Sequence, residues 1–486
     1  MAYKLRSYQE ECVKSISSYI NSDRNDPVLV IGPVGCGKSL LIAEAVRLMG
    51  DKTLVLQPSK ELLQQNYDKL TSYGIPATIY SASCGKKELS NMIYATLGSV
   101  KKVIGQLKEM GIRNVLIDEA HAGYSPEDGS EFMTFMNELK PKKVIGFTAT
   151  PCRLKSMSIG QVSYSQLNFI TRMRPVYFKN LIHVIQVEEM IRQGFWTPLK
   201  YETWDFNGDA LKLNSNGSEY TAESISEAVR KNGLNNLILR RLMVLKDVCR
   251  SILVFMDSVE SCNTAAEWMN AKICAGMAEV VHGGTPKKQR EAIVEGFKSG
   301  KTKVVFNYSA LGTGFDHPGL DCVIVGRPTF SFSSFYQWLG RAVRIKDGKD
   351  SALVVDCCNN SSRFGDIRKL SIENYKGYGW GMFIGDKLIT NIPMGDKVTK
   401  TDLDIKAAKK DRRRGLAQGV TAAPVPGRPD HPLGSTVMTF GKYCGWMFHS
   451  IPVSYFKFIN ETFDWDNDRN KDIKEYIDFL IKNNRL

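Results

Sequence analysis

Short, nearly continuous apolar runs recur along this chain, with helical stretches between them. Four come early: PVLVIG (27–32), KTLVLQP (52–58), VLIDEA (115–120) and KVIGFTAT (143–150). Five come later: SILVFMDS (251–258), AEVVHGG (278–284), KVVFNYS (303–309), DCVIVGRP (321–328) and SALVVDCC (351–358). Runs of this length, rich in Val and Ile, suit strands covered on both faces of a parallel sheet. Parallel neighbours need a crossover, and SVESCNTAAEWMNAK (258–272) and PKKQREAIVEGFKSG (286–300) have helical patterns that supply one. The alternation implies an α/β fold made of βαβ units, in two blocks joined around GFWTPLKYETWDF (194–206).

The pattern fails after about residue 366. Residues 371–434 are rich in Gly, Lys and Pro, and APVPGRPDHPLG (423–434) reads as a linker. A compact aromatic segment follows at 439–465, then an amphipathic helix, which together predict a small third domain. No apolar run reaches the ~18 residues of a membrane span, and the N-terminus lacks the apolar core of a secretory signal, so a cytoplasmic protein with no membrane partner is expected. The eleven cysteines include no CxxC pair and predict reduced, mostly buried thiols. A formal charge of +14 favours a polyanionic partner.

GPVGCGKS (32–39) follows a predicted strand and precedes the helical LLIAEAVRLM, which is the context a phosphate-binding GxxxxGK[ST] loop requires. Gly32, Gly35 and Gly37 let the loop wrap tightly and aim N–H groups at phosphate oxygens, and the helix start adds partial positive charge. Lys38 is expected on the β- and γ-phosphates and Ser39 on Mg²⁺. LIDEAH (116–121) ends another buried strand, where Asp118 would hold the Mg²⁺ and Glu119 would position and deprotonate a water. In QWLGRAVR (337–344), Arg341 and Arg344 stand three apart. On a helix they would share one face. Surface salt bridges would account for them, and so would phosphate.

These motifs resemble, in order, those of superfamily 2 helicases of the DEAH-box type, and most the group containing XPB, the phage branched-DNA helicase UvsW and the motor subunits of restriction enzymes. The resemblance spans about residues 4–365. LRSYQ (5–9) is similar to the adenine-reading motif, with Ser7 replacing a common Pro. This implies that Gln9 reads the adenine edge and Arg6 stacks on its face. LQPSKELLQQ (56–65) and ATLGS (95–99) resemble nucleic-acid-contacting motifs, and FTATP (147–151), with Thr148 and Thr150, the motif coupling hydrolysis to movement. ILVFMDSVE (252–260) and VVHGGTPKKQRE (280–291) match the first strands of the second block. NYSALGTGFDHPGLDCVI (307–324) resembles the fifth motif, which brings Gly314 and Asp316 near the nucleotide, and QWLGRAVR matches QxxGRxxR.

The resemblance implies two tandem RecA-like parallel-sheet domains, 1–200 and 201–368, forming an ATP cleft. A basic linker region at 369–435 and a small α-rich domain at 436–486 would come after them. Arg341 and Arg344 become the second domain's contact with ATP, and His121 and Gln337 link the nucleotide to the strand-binding surface by hydrogen bonds. Ser59, Thr96, Ser309 and Thr313 are candidates to hold strand phosphates, although a helix cap or turn bond accounts for each hydroxyl equally well.

Other stretches say less. KAAKKDRRRG (406–415) would grip nucleic acid or lie as a solvated face. FGKYCGWMFHSIPVSYFKFI (440–459) resembles a small module of phage proteins and some exonucleases, with Cys444 in place of a usual Lys. Its aromatics suit a small core, with accessory DNA or partner binding as the alternative. DWDNDRNKDIKE (464–475) spaces Asp464, Asp466, Asp468 and Glu475 like a calcium loop, but Arg469 stands where Gly is needed, so an acidic loop before a helix is expected. No zinc cluster, nuclease core or Ser/His/Asp set is evident. The expectation is an ATP- and Mg²⁺-dependent motor on single-stranded, forked or branched DNA, of phage or prophage origin. It would serve replication, recombination or repair, with a replication or recombination protein as a partner of the third domain. A duplex translocase, an RNA helicase and an ATP-gated clamp are the alternatives.

Overall fold

In a computed structural model, residues 4–50, 52–159, 162–312, 315–407, 431–436, 438, 447–462 and 471–483 are described. The early runs form one sheet in the order Asn180–Val184, Val28–Ile31, Lys143–Thr148, Asn114–Ile117, Thr53–Leu56, Met92–Ala95, Thr78–Ser81 and Lys86–Lys87. The first seven strands are parallel and the last is antiparallel. The late runs form a second, wholly parallel sheet: Leu199–Thr203, Ala352–Asp356, Cys322–Val325, Ile252–Phe255, Val304–Tyr308 and Ala278–His282. Helices such as Lys38–Met49, Val259–Lys272 and Lys287–Ser299 cross between strands. This is the expected pair of RecA-like domains. Their central strands, such as Val28–Ile31 and Ile252–Phe255, are buried along their whole length, which is why they read as unbroken apolar runs.

A buried lysine fixes the first helix, Ser7–Ile20, to this sheet. Lys143 opens the strand Lys143–Thr148, is 5% exposed, and donates from Nζ to the carbonyls of Tyr19 (3.1 Å), Ser22 (2.7 Å) and Arg24 (2.5 Å). It satisfies carbonyls at and just past the helix end, which the helix itself cannot pair.

Strands, and not the linker expected from residue 369, come after the second sheet. Leu370–Tyr375, Gly379–Ile384 and Lys387–Leu388 are strands, the last two antiparallel, and Leu370, Ile372 and Met382 join the main apolar core. Glycine-flanked strands of two to six residues are too short to leave a clear alternation in sequence. Most of the basic run 406–415 and of the stretch 423–434 lies outside the described residues, as do Cys444, Asp464, Asp466 and Asp468.

The C-terminal residues form a unit of their own. Its helices Val453–Thr462 and Lys471–Lys482 enclose Met438, Phe448, Ile451, Phe456, Ile459, Ile473, Tyr476, Ile477 and Leu480. Phe448, Phe456 and Tyr476 are core here, and Glu475 lies on a helix. Among the described residues no helix is long and apolar enough to cross a membrane, and the ten described cysteines are free thiols, eight of them buried.

Candidate nucleotide cleft

The loop between strand Val28–Ile31 and helix Lys38–Met49 is braced from outside. Gln9 accepts from the Arg6 backbone N–H at 3.0 Å and donates from Nε2 to the Cys36 carbonyl at 2.9 Å, and Tyr8 donates to the same carbonyl at 3.1 Å. Trp196 donates from its indole to the Val34 carbonyl at 2.9 Å. Gly37 caps the helix at φ 81°, a backbone conformation that favours glycine, and a Cβ there would lie 2.6 Å from Gln9 Nε2 and displace that amide. The Arg6 guanidinium lies over the Phe195 ring, 4.4 Å from its centroid. Phe195 and Trp196 carried no motif signal. Only their aromatic character inside the segment joining the two blocks hinted at them.

Asp118 and Glu119 follow strand Asn114–Ile117. Asp118 is 4% exposed, its Oδ2 accepting from Asn66 Nδ2 (2.8 Å) and its Oδ1 from the Glu119 N–H (2.9 Å). Burial, then the neighbouring Glu119 charge, raises its pKa, while Lys38 pulls the other way. Glu119 takes φ 45°, a costly conformation for a residue with a side chain. Its Oε1 lies 3.9 Å from Lys38 Nζ. Its Oε2 is buried without a hydrogen bond, 3.4 Å from His121 Nδ1. Burial lowers the His121 pKa, so the ring is neutral.

His121 stands at a junction. Nδ1 lies 2.8 Å from Thr148 Oγ1, and Nε2 lies 3.1 Å from Thr150 Oγ1 and 3.2 Å from Ser333 Oγ, the last in the second domain. Thr150 and Ser333 are themselves 3.1 Å apart. The expected coupling residues Thr148 and Thr150 are therefore together with His121. Gln337 lines the cleft, but the side chain that meets His121 is Ser333. Arg153, also unflagged in the sequence, holds the same turn by donating to the carbonyls of His121 (2.6 Å) and Tyr124 (2.5 Å).

The two arginines are not on a helix face. Helix Phe332–Leu339 stops before them, and Arg341 and Ala342 make i→i+3 turn bonds. The carbonyls of Val343 and Arg344 then accept from the backbone N–H and side chain of Thr197 at 2.8 and 2.7 Å, drawing the chain away from a helical path. Residue 340 has no room for a side chain, because a Cβ on it would lie 2.5 Å from Val34 Cγ2 of the opposite domain. Arg341 donates to the carbonyls of Phe315 (2.6 Å) and Gly312 (2.8 Å), and Arg344 pairs with Asp316. Burial pulls both guanidinium pKa values down to about 10, which leaves them charged at neutral pH. Lys349 fixes the loop beneath, donating to the carbonyls of Ala342 (2.7 Å) and Arg344 (2.8 Å).

One cavity of about 700 Å³ joins these groups, with Gln9, Lys38, Ser39 and Glu119 from the first domain facing Arg341 and Arg344 from the second. Among the described residues no group of three or more His, Cys, Asp or Glu could hold a metal. The Ser39 hydroxyl and the Asp118 carboxylate, whose charge is disfavoured by burial, suit Mg²⁺, which takes few protein oxygens and completes its shell with phosphate and water.

Of the strand-facing candidates, Ser59 caps helix Lys60–Thr71 by accepting from the Leu62 N–H (3.3 Å), and Thr96 donates to Ser99 Oγ (3.0 Å), so local bonds occupy both. Ser309 is exposed at φ 53°. Thr313 and Gly314 lie outside the described residues.

Two family models match the chain. Residues 2–153 match the res subunit of type III restriction enzymes, and residues 235–346 match the helicase conserved C-terminal domain. The chain carries the motor pair of helicase superfamily 2. Such a pair is that of an ATP-hydrolysing helicase or translocase. The superfamily 2 chain is similar to a 51.5 kDa protein of a Lactococcus phage, 24% identical over 68% of this chain and 65% of that one. It is similar to the putative ATP-dependent helicase IRC3 of Saccharomyces cerevisiae, 23% identical over 74% and 52%. It is also similar to the DNA 3'-5' translocase XPB2 of Sulfurisphaera tokodaii, 23% identical over 72% and 81%. It thus spans between half and two thirds of the length of the first two. Its fold is similar to that of a part of the Type ISP restriction-modification enzyme LlaBIII, with a TM-score of 0.55 and 15% identity over 86% of this chain and 30% of that one.

Proposed function

We propose that this chain is an ATP-dependent DNA helicase or translocase of the DEAH-box type, acting in phage or bacterial replication, recombination or repair. The observation that carries the proposal is the single cavity in which Lys38 and Glu119 of one domain face Arg341 of the other.

In this mechanism the loop N–H groups and Lys38 bind the triphosphate, and Gln9 and Arg6 receive the adenine. Ser39 and Asp118 would hold Mg²⁺, which would supply charge neutralisation on the phosphates. The free Oε2 of Glu119 takes a proton from the attacking water as its oxygen bonds to the γ-phosphorus and the bond to ADP breaks. Arg341 and Arg344 stabilise the charge spread over the transferring phosphoryl group, a contribution of ~10³–10⁵ in rate for such arginines. The hydroxyl–imidazole junction at His121 then passes the state of the cleft to the second domain, and closure and opening move the domains along a strand.

DNA is favoured over RNA by the relative named as a DNA translocase, and a phage setting by the phage relative. The name translocase also supports a second reading, movement on duplex without strand separation. The small C-terminal unit is assigned to recruiting a replication or recombination protein. Strand displacement on a labelled fork decides between the readings. Release of the strand with ATP supports a helicase. Displacement of a bound protein from duplex without strand release supports a translocase. ATP affinity with no multiple turnover would leave only a clamp.

A further inference from the structure

Helix Lys60–Thr71 packs through a stripe of three buried residues, Leu63, Asn66 and Leu70, at spacings of three and four. The two leucines belong to the main apolar core, and the asparagine between them is 1% exposed. It lies one residue beyond LQPSKELLQQ (56–65), so no motif marks it. A leucine at such a position would fill the stripe and leave no polar atom to satisfy.

The side chain of Asn66 donates from Nδ2 to Oδ2 of Asp118 at 2.8 Å, while its Oδ1 is buried with no hydrogen-bond partner. An unpaired buried acceptor costs about as much as a hydrogen bond to a charged group contributes. For stability the two nearly cancel, and packing does not account for the amide. Its effect falls on Asp118. Without Asn66 the carboxylate is held only at Oδ1, by the N–H of Glu119 at 2.9 Å, and that N–H belongs to the next residue of the same turn. Asn66 ties the other oxygen to a packed helix, 52 residues away in the chain. A carboxylate clamped at both oxygens does not swing about its Cβ–Cγ bond. Each oxygen has two lone pairs, so each keeps one for a further ligand.

We infer that Asn66 is a positioning residue for the metal: it fixes the orientation in which the Asp118 carboxylate meets Mg²⁺. The inference rests on the reading of Asp118 as the residue that holds Mg²⁺. Groups that orient a metal ligand from behind typically change metal affinity by about 10–100-fold when they are removed. The phosphate loop is braced separately, by Tyr8, Gln9 and Trp196, so metal-free nucleotide does not need Asn66 to bind.

The test titrates Mn²⁺, a paramagnetic stand-in for Mg²⁺, into the full chain with saturating ADP and follows the protein-bound manganese signal by electron paramagnetic resonance. In Asn66→Leu, close in size but with no donor, the half-filling concentration rises about tenfold, while the affinity for ADP in EDTA stays that of the wild type. Asn66→Ala moves both readings in the same way and replaces the leucine variant should that one disturb the helix. Thermal unfolding midpoints report whether each folds. Asp118→Asn raises the half-filling concentration at least as much. If the Asn66 variants bind Mn²⁺ like the wild type while Asp118→Asn does not, the inference is overturned and the reading of Asp118 stands. If they lose ADP affinity in EDTA by the same factor, Asn66 supports the cleft as a whole, and the inference is overturned as well. If Asp118→Asn itself leaves Mn²⁺ binding unchanged, the reading of Asp118 fails and the inference falls with it.

Discussion

Nε2 of His121 lies 3.2 Å from the hydroxyl of Ser333, and through this contact the turn that carries Asp118 and Glu119 in the first domain touches the second. The neutral ring can donate from one nitrogen and accept at the other, so what Ser333 does on Nε2 is felt at Nδ1, which faces Glu119 at 3.4 Å. Ser333→Ala removes one hydrogen bond worth about 0.5–1.5 kcal/mol. Nucleic-acid-stimulated kcat is expected to fall roughly 3–10-fold, with little change in KM for ATP, and Ser333→Thr should recover it. Steady-state turnover with and without a strand checks both.

Arg341 holds the carbonyls of Gly312 and Phe315 with its two terminal nitrogens, and lysine cannot reproduce that fork. Arg341→Lys is therefore expected to lose most of the ~10³ that an arginine of this kind contributes. Arg344→Ala should cost less, because its partner Asp316 is half-exposed to solvent. Single-turnover hydrolysis of bound ATP separates the two.

Asp118 gives a pH dependence of defined sign. Its pKa is raised in the fold, so the folded chain holds a proton that the unfolded chain has lost. The nucleotide-free protein is thus expected to lose stability as pH rises from the ordinary carboxylate range through the raised value. Asp118→Asn should remove that loss and raise the melting midpoint near neutral pH, by roughly 2–4 °C for each kcal/mol, while abolishing turnover. Calorimetry of both proteins between pH 4 and 8 gives the comparison.

Gln9 joins the N-terminal helix to the phosphate loop through both ends of its amide. Gln9→Ala leaves the Cys36 carbonyl with Tyr8 alone, and the loop loosens. KM for ATP is expected to rise about tenfold, as for roughly 1.4 kcal/mol of lost binding, and the preference for ATP over GTP to narrow. Competition between the two nucleotides measures it.

The strands most legible in sequence are those covered on both faces, such as Val28–Ile31 and Ile252–Phe255, because burial on both sides demands unbroken apolar residues. Asn180–Val184, exposed or half-buried throughout at a sheet edge, carries no such signal. In the site, residues bound by chemistry to one spacing stand out: Lys38 and Ser39 after a glycine loop, and Asp118 and Glu119 after a strand. Residues that act through one contact far away in the sequence do not. Ser333 is one of several serines, and Trp196 matters only because the Val34 carbonyl is within reach. QWLGRAVR shows both sides. Its arginines do stand against the phosphate loop, but the helix before them ends at Leu339 and the chain beyond is bonded to Thr197, a contact that no local pattern encodes.

The central claim is that one cleft, built from two domains, couples ATP hydrolysis to a nucleic-acid strand. The most direct measurement is ATP turnover by the full chain alone and with single-stranded DNA, duplex, forks, four-way junctions or RNA, at two salt concentrations. Turnover should rise severalfold or more with a DNA ligand, less at high salt, and vanish in both Lys38→Ala and Arg341→Ala. Turnover indifferent to every nucleic acid, or undiminished in either variant, would contradict it.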